Sequence, residues 1–157
     1  MSVGLVRNPG DGRFFRYYHS EIEQVVSTTE TNGAVTVSRL NLDRAGAPPL
    51  HAHSREDESW VVLSGRVRFW VGSVGSTSLD TCDVHDAEPG AYIYAPRYVP
   101  HTLQPITSTA EILVINSPGA LEGYFQSIGA ADERHDADHA DLLAAYGMVV
   151  LDNPPAA

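Results

Sequence analysis

The sequence predicts an all-β barrel or sandwich with a short helical appendage at its C-terminal end. Three observations predict it. Short runs of alternating apolar and polar residues recur from about residue 32 to 116, and a period of two is the mark of a half-buried strand. Gly- and Pro-rich turns separate these runs. Helical spacing enters only after Ser117-Pro118-Gly119. At 157 residues and 43% apolar content, the chain is expected to form a single domain over residues 1–157. The barrel core would span about 32–116 and a helical tail 117–157.

Residues 1–12 read as a loose or edge-pairing arm, with Asn8-Pro9-Gly10-Asp11-Gly12 as a turn. Phe14-Phe15-Arg16-Tyr17-Tyr18 is either an edge strand or a segment that packs on a second subunit. Gln24 to Thr29 is short and β-branched, and Thr31-Asn32-Gly33 is a hairpin-type turn. Val35 to Leu42 alternates as a strand, and Ala45-Gly46-Ala47-Pro48-Pro49 breaks it. Ser59 to Leu63 and Arg66 to Val71 are strands joined by Ser64-Gly65. Val67, Phe69 and Val71 face the interior. Trp70 faces outward, toward another layer or a partner subunit. Leu79 to Val84 is expected as a strand containing Cys82, followed by the turn Glu88-Pro89-Gly90 and a strand over Ala91 to Ala95. His101 to Gln104 and Ala110 to Asn116 close the series.

In the tail, Leu121, Tyr124, Phe125 and Ile128 recur at helical spacing, so residues 119–129 are expected to lie as an amphipathic helix on the barrel. Asp138 to Tyr146 is a second helix, with Asp138 as N-cap, Asp141 in its first turn and Gly147 as its stop. Asn153-Pro154-Pro155 ends the chain as a frayed or docked tail.

The net charge is −10, and all ten basic residues are arginine. An acidic chain without a basic run is a poor nucleic-acid binder. The absence of lysine excludes Schiff-base chemistry and a lysine general base. The single cysteine, Cys82, allows no internal disulfide. Residues 1–13 hold no apolar signal core, and no apolar run approaches membrane-spanning length. A cytoplasmic protein that engages no membrane is the expectation. The Arg- and Ala-rich composition points to a GC-rich bacterial genome. No G-x-G-x-x-G, Walker loop or nucleophile elbow supports a nucleotide or serine-hydrolase reading.

The chemistry concentrates in His51-Ala52-His53-Ser54-Arg55-Glu56-Asp57-Glu58. On a strand, His51 and His53 leave the same face. Glu58 supplies a carboxylate, and His101 follows far downstream in Pro96-Arg97-Tyr98-Val99-Pro100-His101. Three imidazoles and one carboxylate suit Fe, Ni, Mn, Co or Zn, one divalent transition metal per chain. Glu56 and Asp57 read as a solvated charge cluster with Arg55 as partner. Trp60, two residues after Glu58, shares its face; Trp60, Phe69 and Leu103 are either ordinary core residues or together an apolar aromatic pocket above the metal for a flat small molecule. Tyr92 and Tyr94 share a face, and either hydrogen-bond a substrate or pack under the outer layer. His135 and His139, four apart beside Asp136, Asp138 and Asp141, read as a solvated helix start rather than a second metal site, and His85, His19 and Cys82 as ordinary surface or structural residues.

This pattern resembles the cupin superfamily. Gly46, His51, His53, Glu58 and Gly65 follow its first motif, with the gap from Gly46 to His51 one residue short. Gly90, Pro96 and His101 follow its second, with Tyr98 where the family has glycine and Pro105 where it has asparagine. The run Leu121-Glu122-Gly123-Tyr124-Phe125-Gln126-Ser127-Ile128-Gly129 is similar to the tail of single-domain, quercetin-dioxygenase-like bacterial cupins. The resemblance implies a double-stranded β-helix, or jelly-roll, barrel and a homodimer. It also implies His51, His53, Glu58 and His101 as metal ligands, and dioxygenation of an aromatic or phenolic substrate. In that reaction the metal binds a substrate oxyanion, Glu58 is the catalytic base, and dioxygen attacks the activated ring. The alternatives are a non-oxidative isomerase or polyketide cyclase, in which the metal polarises a carbonyl, and a non-catalytic ligand-binding cupin. Glu58 is then either a ligand only or a ligand and a base.

Overall fold

A computed structural model describes residues 3–17, 20–130 and 140–157. The expectations for His19, His135, His139 and the Asp138 cap lie outside the described residues. The strands form two sheets that face each other across a core, the double-stranded β-helix expected.

The six-stranded sheet runs β1-β2-β3-β10-β5-β8. Its strands are β1 (Arg13–Tyr17), β2 (Ser20–Val26), β3 (Thr36–Asp43), β5 (Asp57–Ser64), β8 (Tyr92–Ala95) and β10 (Thr109–Ser117). The five-stranded sheet runs β11-β4-β9-β6-β7. Its strands are β4 (Leu50–His53), β6 (Val67–Val71), β7 (Asp83–Ala87), β9 (His101–Pro105) and β11 (Met148–Asp152).

The period-two pattern decides which face is buried. On β3, Thr36, Ser38, Leu40 and Leu42 point inward; on β10, Ala110, Ile112, Val114 and Asn116 do. Ile112 sits opposite Leu40 on one side and Val62 on the other, and none of its surface reaches solvent. Phe69, equally buried, faces Leu103 across the β6–β9 pairing and packs against Trp60 at 5.4 Å between ring centres. Gly65, between β5 and β6, has φ +71, and a Cβ there would come within 2.5 Å of the Thr109 carbonyl. Only glycine suits a positive φ with no room beside it.

The residues expected as a strand over 79–84 begin instead as a 3-10 turn, Leu79–Thr81, and Cys82 ends that turn half-buried. Thr81 Oγ1 donates to the Ser78 carbonyl and accepts from the Ser78 amide, so side-chain closure of the turn wins over strand extension. Trp70 is half-buried between Val84 and Thr102 of the neighbouring strands. Tyr92 and Tyr94 both face solvent, so neither a buried layer nor the pocket holds them.

After β10, helix α1 (Glu122–Ala130) packs on β1, and helix α2 (Ala140–Ala145) follows. Leu121, Tyr124 and Ile128, the residues at helical spacing, meet Leu143 and Met148 in a second apolar cluster. The chain then returns as a strand where the sequence suggested only a tail. β11 pairs with β4, the strand of the two histidines, from Met148↔His53 to Asp152↔Leu50. No helix among the described residues is long and apolar enough to cross a membrane.

The N-terminal arm is held by charge. Arg7 bonds Glu30 through both guanidinium nitrogens, at 2.5 and 3.0 Å, and also donates to the Val25 carbonyl. The Arg7 hydrogen bond, then the amide and hydroxyl of Ser27, lower the Glu30 carboxyl to about 2. A depressed carboxyl stabilises the fold above its ordinary value of 4.5 and stops doing so as pH falls through the folded value. Hydrogen exchange at the Ser27 amide, which donates to Glu30, is therefore expected to rise as pH drops from 4.5 toward 2, after correction for intrinsic rates. In Glu30→Gln the exchange would already be raised at neutral pH and would not respond to acid in this window. An acid response in that variant equal to the parent's would remove Glu30 as the cause.

Candidate metal centre

The four expected ligands come from three strands and converge between the two sheets. His51 and His53 lie on β4 and share its inner face. His101 stands opposite His51 across the β4–β9 pairing. Glu58 comes from β5 of the other sheet, where its register partners are Asn116 and Ala95. One donor atom from each of the four residues lies within 4.8 Å of those of the others. His53, His101 and Glu58 are buried, while His51 is partly open toward a pocket.

The backbone fixes how the rings turn. Nδ1 of His51 is 2.8 Å from the Pro49 carbonyl, and Nδ1 of His101 is 2.9 Å from the Val99 carbonyl. A carbonyl only accepts, so both rings carry hydrogen on Nδ1 and aim Nε2 at the centre. Glu58 Oε2 lies 2.9 Å from Nε2 of His101 and 3.1 Å from Nε2 of His53. Lone pairs at such separations need a proton or a cation between them. Glu58 Oε1 accepts a hydrogen bond from Asn116 Nδ2 at 3.1 Å, which fixes the plane of the carboxylate.

Burial works to raise the Glu58 carboxyl, but the charge on His53 and hydrogen bonds from His101 and His53 outweigh it and hold it well below the usual range. Burial, followed by repulsion from His101 and His53, lowers His51 to about 3. A neutral imidazole and an ionised carboxylate are the forms a metal binds. The donor set and its convergence suit one divalent metal ion.

Tyr98, at the family's glycine position, has φ +67. Its amide donates to the His53 carbonyl at 2.7 Å, so the turn ties β4 to the segment that delivers His101. The left-handed conformation there explains why glycine is the usual residue, and it costs a tyrosine on the order of 1–2 kcal/mol.

A pocket opens on this cluster. His51, His53, Glu58, Trp60 and Leu103 line it. Phe69 lies behind Trp60 in the core and does not. The remaining wall comes partly from segments the sequence did not assign to the site: Tyr17 of β1, Tyr124 and Phe125 of α1, Leu143 of α2, and Met148 and Val150 of β11. The helical spacing of Leu121 to Ile128 was the available signal for α1. Its apolar face covers the barrel mouth as well as filling a core. Among the described residues, no arginine lines the pocket.

Glu56, expected to be solvated, is 1% exposed. Its carboxylate approaches Nδ1 of His53 at 3.7 Å, and neither of its oxygens has a hydrogen-bond partner. Burial pushes its carboxyl up. Arg55 does not reach it; that guanidinium donates instead to the Ala145 carbonyl at 2.9 Å. Asp57 does lie at the surface, paired with Arg97 at 3.0 Å.

Residues 39–116 match the family described as "Cupin domain". No curated protein sequence matches the chain. Among solved structures, KdgF from Halomonas sp. is similar with a TM-score of 0.60 and 16% identity, over 74% of this chain and 94% of that one. The polyketide cyclase RemF from Streptomyces resistomycificus gives 0.57 and 18%, over 73% and 80%. An oxalate decarboxylase gives 0.61 and 18%, over 99% of this chain and 45% of its own. At these identities the likeness is one of fold.

Proposed function

We propose that this chain, whose residues 39–116 match a cupin domain, is a metal-dependent dioxygenase of an aromatic or phenolic small molecule. The observation that carries this reading is the pairing of the His51, His53, Glu58 and His101 cluster with a pocket walled by apolar and aromatic side chains. Among the described residues no arginine lines the pocket, so a small dianion would find no guanidinium there. The pocket offers a flat apolar ring system a wall of Trp60, Phe125 and Leu103.

His51, His53, Glu58 and His101 would hold one divalent transition metal. Bound there, it would supply Lewis-acid polarisation of a substrate oxygen and open positions for substrate and dioxygen. The chain's own residues do the rest. Trp60 and Leu103 set the ring plane, and the α1 and β11 side chains keep bulk water out. Glu58, steadied by Asn116, is the group placed to take the proton of a phenolic hydroxyl. Its carboxylate lines the pocket, within reach of a bound substrate as a general base must be.

The test is oxygen consumption with flavonols and simpler phenols, run beside an anaerobic control. Turnover that continues without oxygen would replace this reading with a non-oxidative one, an isomerase or cyclase that uses the same cluster. Glu58→Gln, compared at matched metal content, is expected to lower kcat by roughly 10²- to 10⁴-fold, the usual contribution of general acid–base catalysis. An unchanged kcat at full metal loading would leave Glu58 a ligand without the base role.

A further inference from the structure

The three histidines of the centre are not held alike. His51 and His101 each give Nδ1–H to the carbonyl two residues earlier, Pro49 and Val99. His53 has no such carbonyl. Its Nδ1 faces the carboxylate of Glu56 at 3.7 Å, and both groups are buried and otherwise without hydrogen-bond partners. An unpartnered carboxylate is among the most costly groups to bury, and the nearest basic side chain in sequence, Arg55, is engaged at Ala145.

We propose that Glu56 is a positioning residue for the metal centre, accepting the Nδ1–H of His53 so that Nε2 turns to the centre, and placing a negative charge behind that ring alone. The proposal rests on the reading of the four residues as metal ligands. Closing the gap from 3.7 Å to hydrogen-bond range takes about half an ångström. The chain geometry allows it, because Glu56 lies three residues after His53, across the bend at Ser54-Arg55 that joins β4 to β5. A carboxylate bonded to the far nitrogen fixes the tautomer of a metal-bound imidazole and raises its donor strength. A neutral carbonyl does the first and much less of the second, so His53 becomes the strongest imidazole donor of the three. The charge behind it would also help offset that of a divalent cation in a site whose only ligand anion is Glu58.

The experiment compares the full chain with Glu56→Gln and Glu56→Leu. Co²⁺ and Zn²⁺ affinities are measured by chelator competition, and ring N–H signals by ¹⁵N NMR of the Zn²⁺-loaded protein. In Glu56→Leu, metal affinity is expected to fall roughly 10- to 100-fold, as for loss of a partner behind a metal-bound histidine. The His53 Nδ1–H signal should move upfield or exchange away, while those of His51 and His101 stay in place. Glu56→Gln keeps volume and an acceptor oxygen. It should retain a bonded His53 Nδ1–H at a shifted position and lose affinity by a smaller factor, and it decides the matter should Glu56→Leu fail to fold. A His53 signal and affinity unmoved in the variants overturn the proposal while leaving the metal reading intact, as does a His53 ring bound through Nδ1. Failure of the parent protein to bind either metal overturns the metal reading, and this proposal with it.

Discussion

Protein produced with Mn, Fe, Co, Ni and Zn all available, and purified without chelator, is expected to carry about one divalent metal per chain. The His51→Ala/His101→Ala variant is expected to carry none. Structural zinc sites bind with about 10–16 kcal/mol, so each of four ligands is worth on the order of 3 kcal/mol, and losing two weakens binding roughly 10⁴-fold. The pair is chosen because His51 and His101 face each other across two strands, so their removal opens the cluster from one side. Glu58 would keep its Asn116 hydrogen bond. Circular dichroism and a melting curve of the metal-free parent and the variant separate metal loss from unfolding. Elemental analysis then reads the result. Metal retained by a folded variant, or absent from the parent, would sink the assignment of these residues. Zinc as the sole metal, with misloading excluded, would turn attention to the non-oxidative alternative.

The four residues that cluster were legible because their signal is local and doubly constrained. His51 and His53 announce a shared face by a spacing of two, and Glu58 and His101 stand at fixed distances from Gly65 and Pro96. Tyr98 was legible as a departure; the structure adds that the backbone keeps a glycine-like φ there and that its amide bonds the ligand strand. Glu56 was not legible. In a Glu-Asp-Glu run every residue reads as solvated, and which of them is buried depends on the bend after β4. Strand β11 was illegible for another reason. Met148 to Leu151 is a short apolar run after a glycine, and such a run does not distinguish strand from helix or tail. Its partner lies about a hundred residues earlier, a pairing that no local pattern encodes. The pocket wall divides the same way. Trp60 and Leu103 follow from strand alternation beside the ligands, whereas Tyr17, Tyr124 and Met148 reach the site by tertiary packing.

That distant pairing makes the C-terminal strand a neighbour of the candidate metal site, and deletion of residues 148–157 is expected to abolish metal retention without removing a candidate ligand. β4 meets β9 in register only at His51↔His101, whereas β11 pairs with it at four positions. The carbonyl of Gly147 accepts both the amide and the hydroxyl of Ser54, the residue after His53, at 2.8 and 2.9 Å. Without β11, the strand that carries two of the four ligands becomes an edge, and Met148 and Val150 leave the pocket wall. Burial of those side chains together with the strand hydrogen bonds is worth on the order of 5 kcal/mol, comparable with the lower end of a domain's whole stability. Global unfolding of the truncated chain is therefore a real outcome, and a milder variant keeps the cause in view. Gly147 has φ +74, and a Cβ there would stand 2.6 Å from Ser54 Oγ. Gly147→Ala should thus strain the β11–β4 junction by on the order of 1–2 kcal/mol while leaving every pocket side chain in the chain. It is expected to lower metal affinity measurably at an unchanged far-ultraviolet spectrum, with raised hydrogen exchange at Ser54 and along β4. A folded Gly147→Ala variant that binds metal as tightly as the parent would show that β4 is held by its β9 side and the Tyr98 turn. The C-terminal strand would then act only as a wall of the pocket.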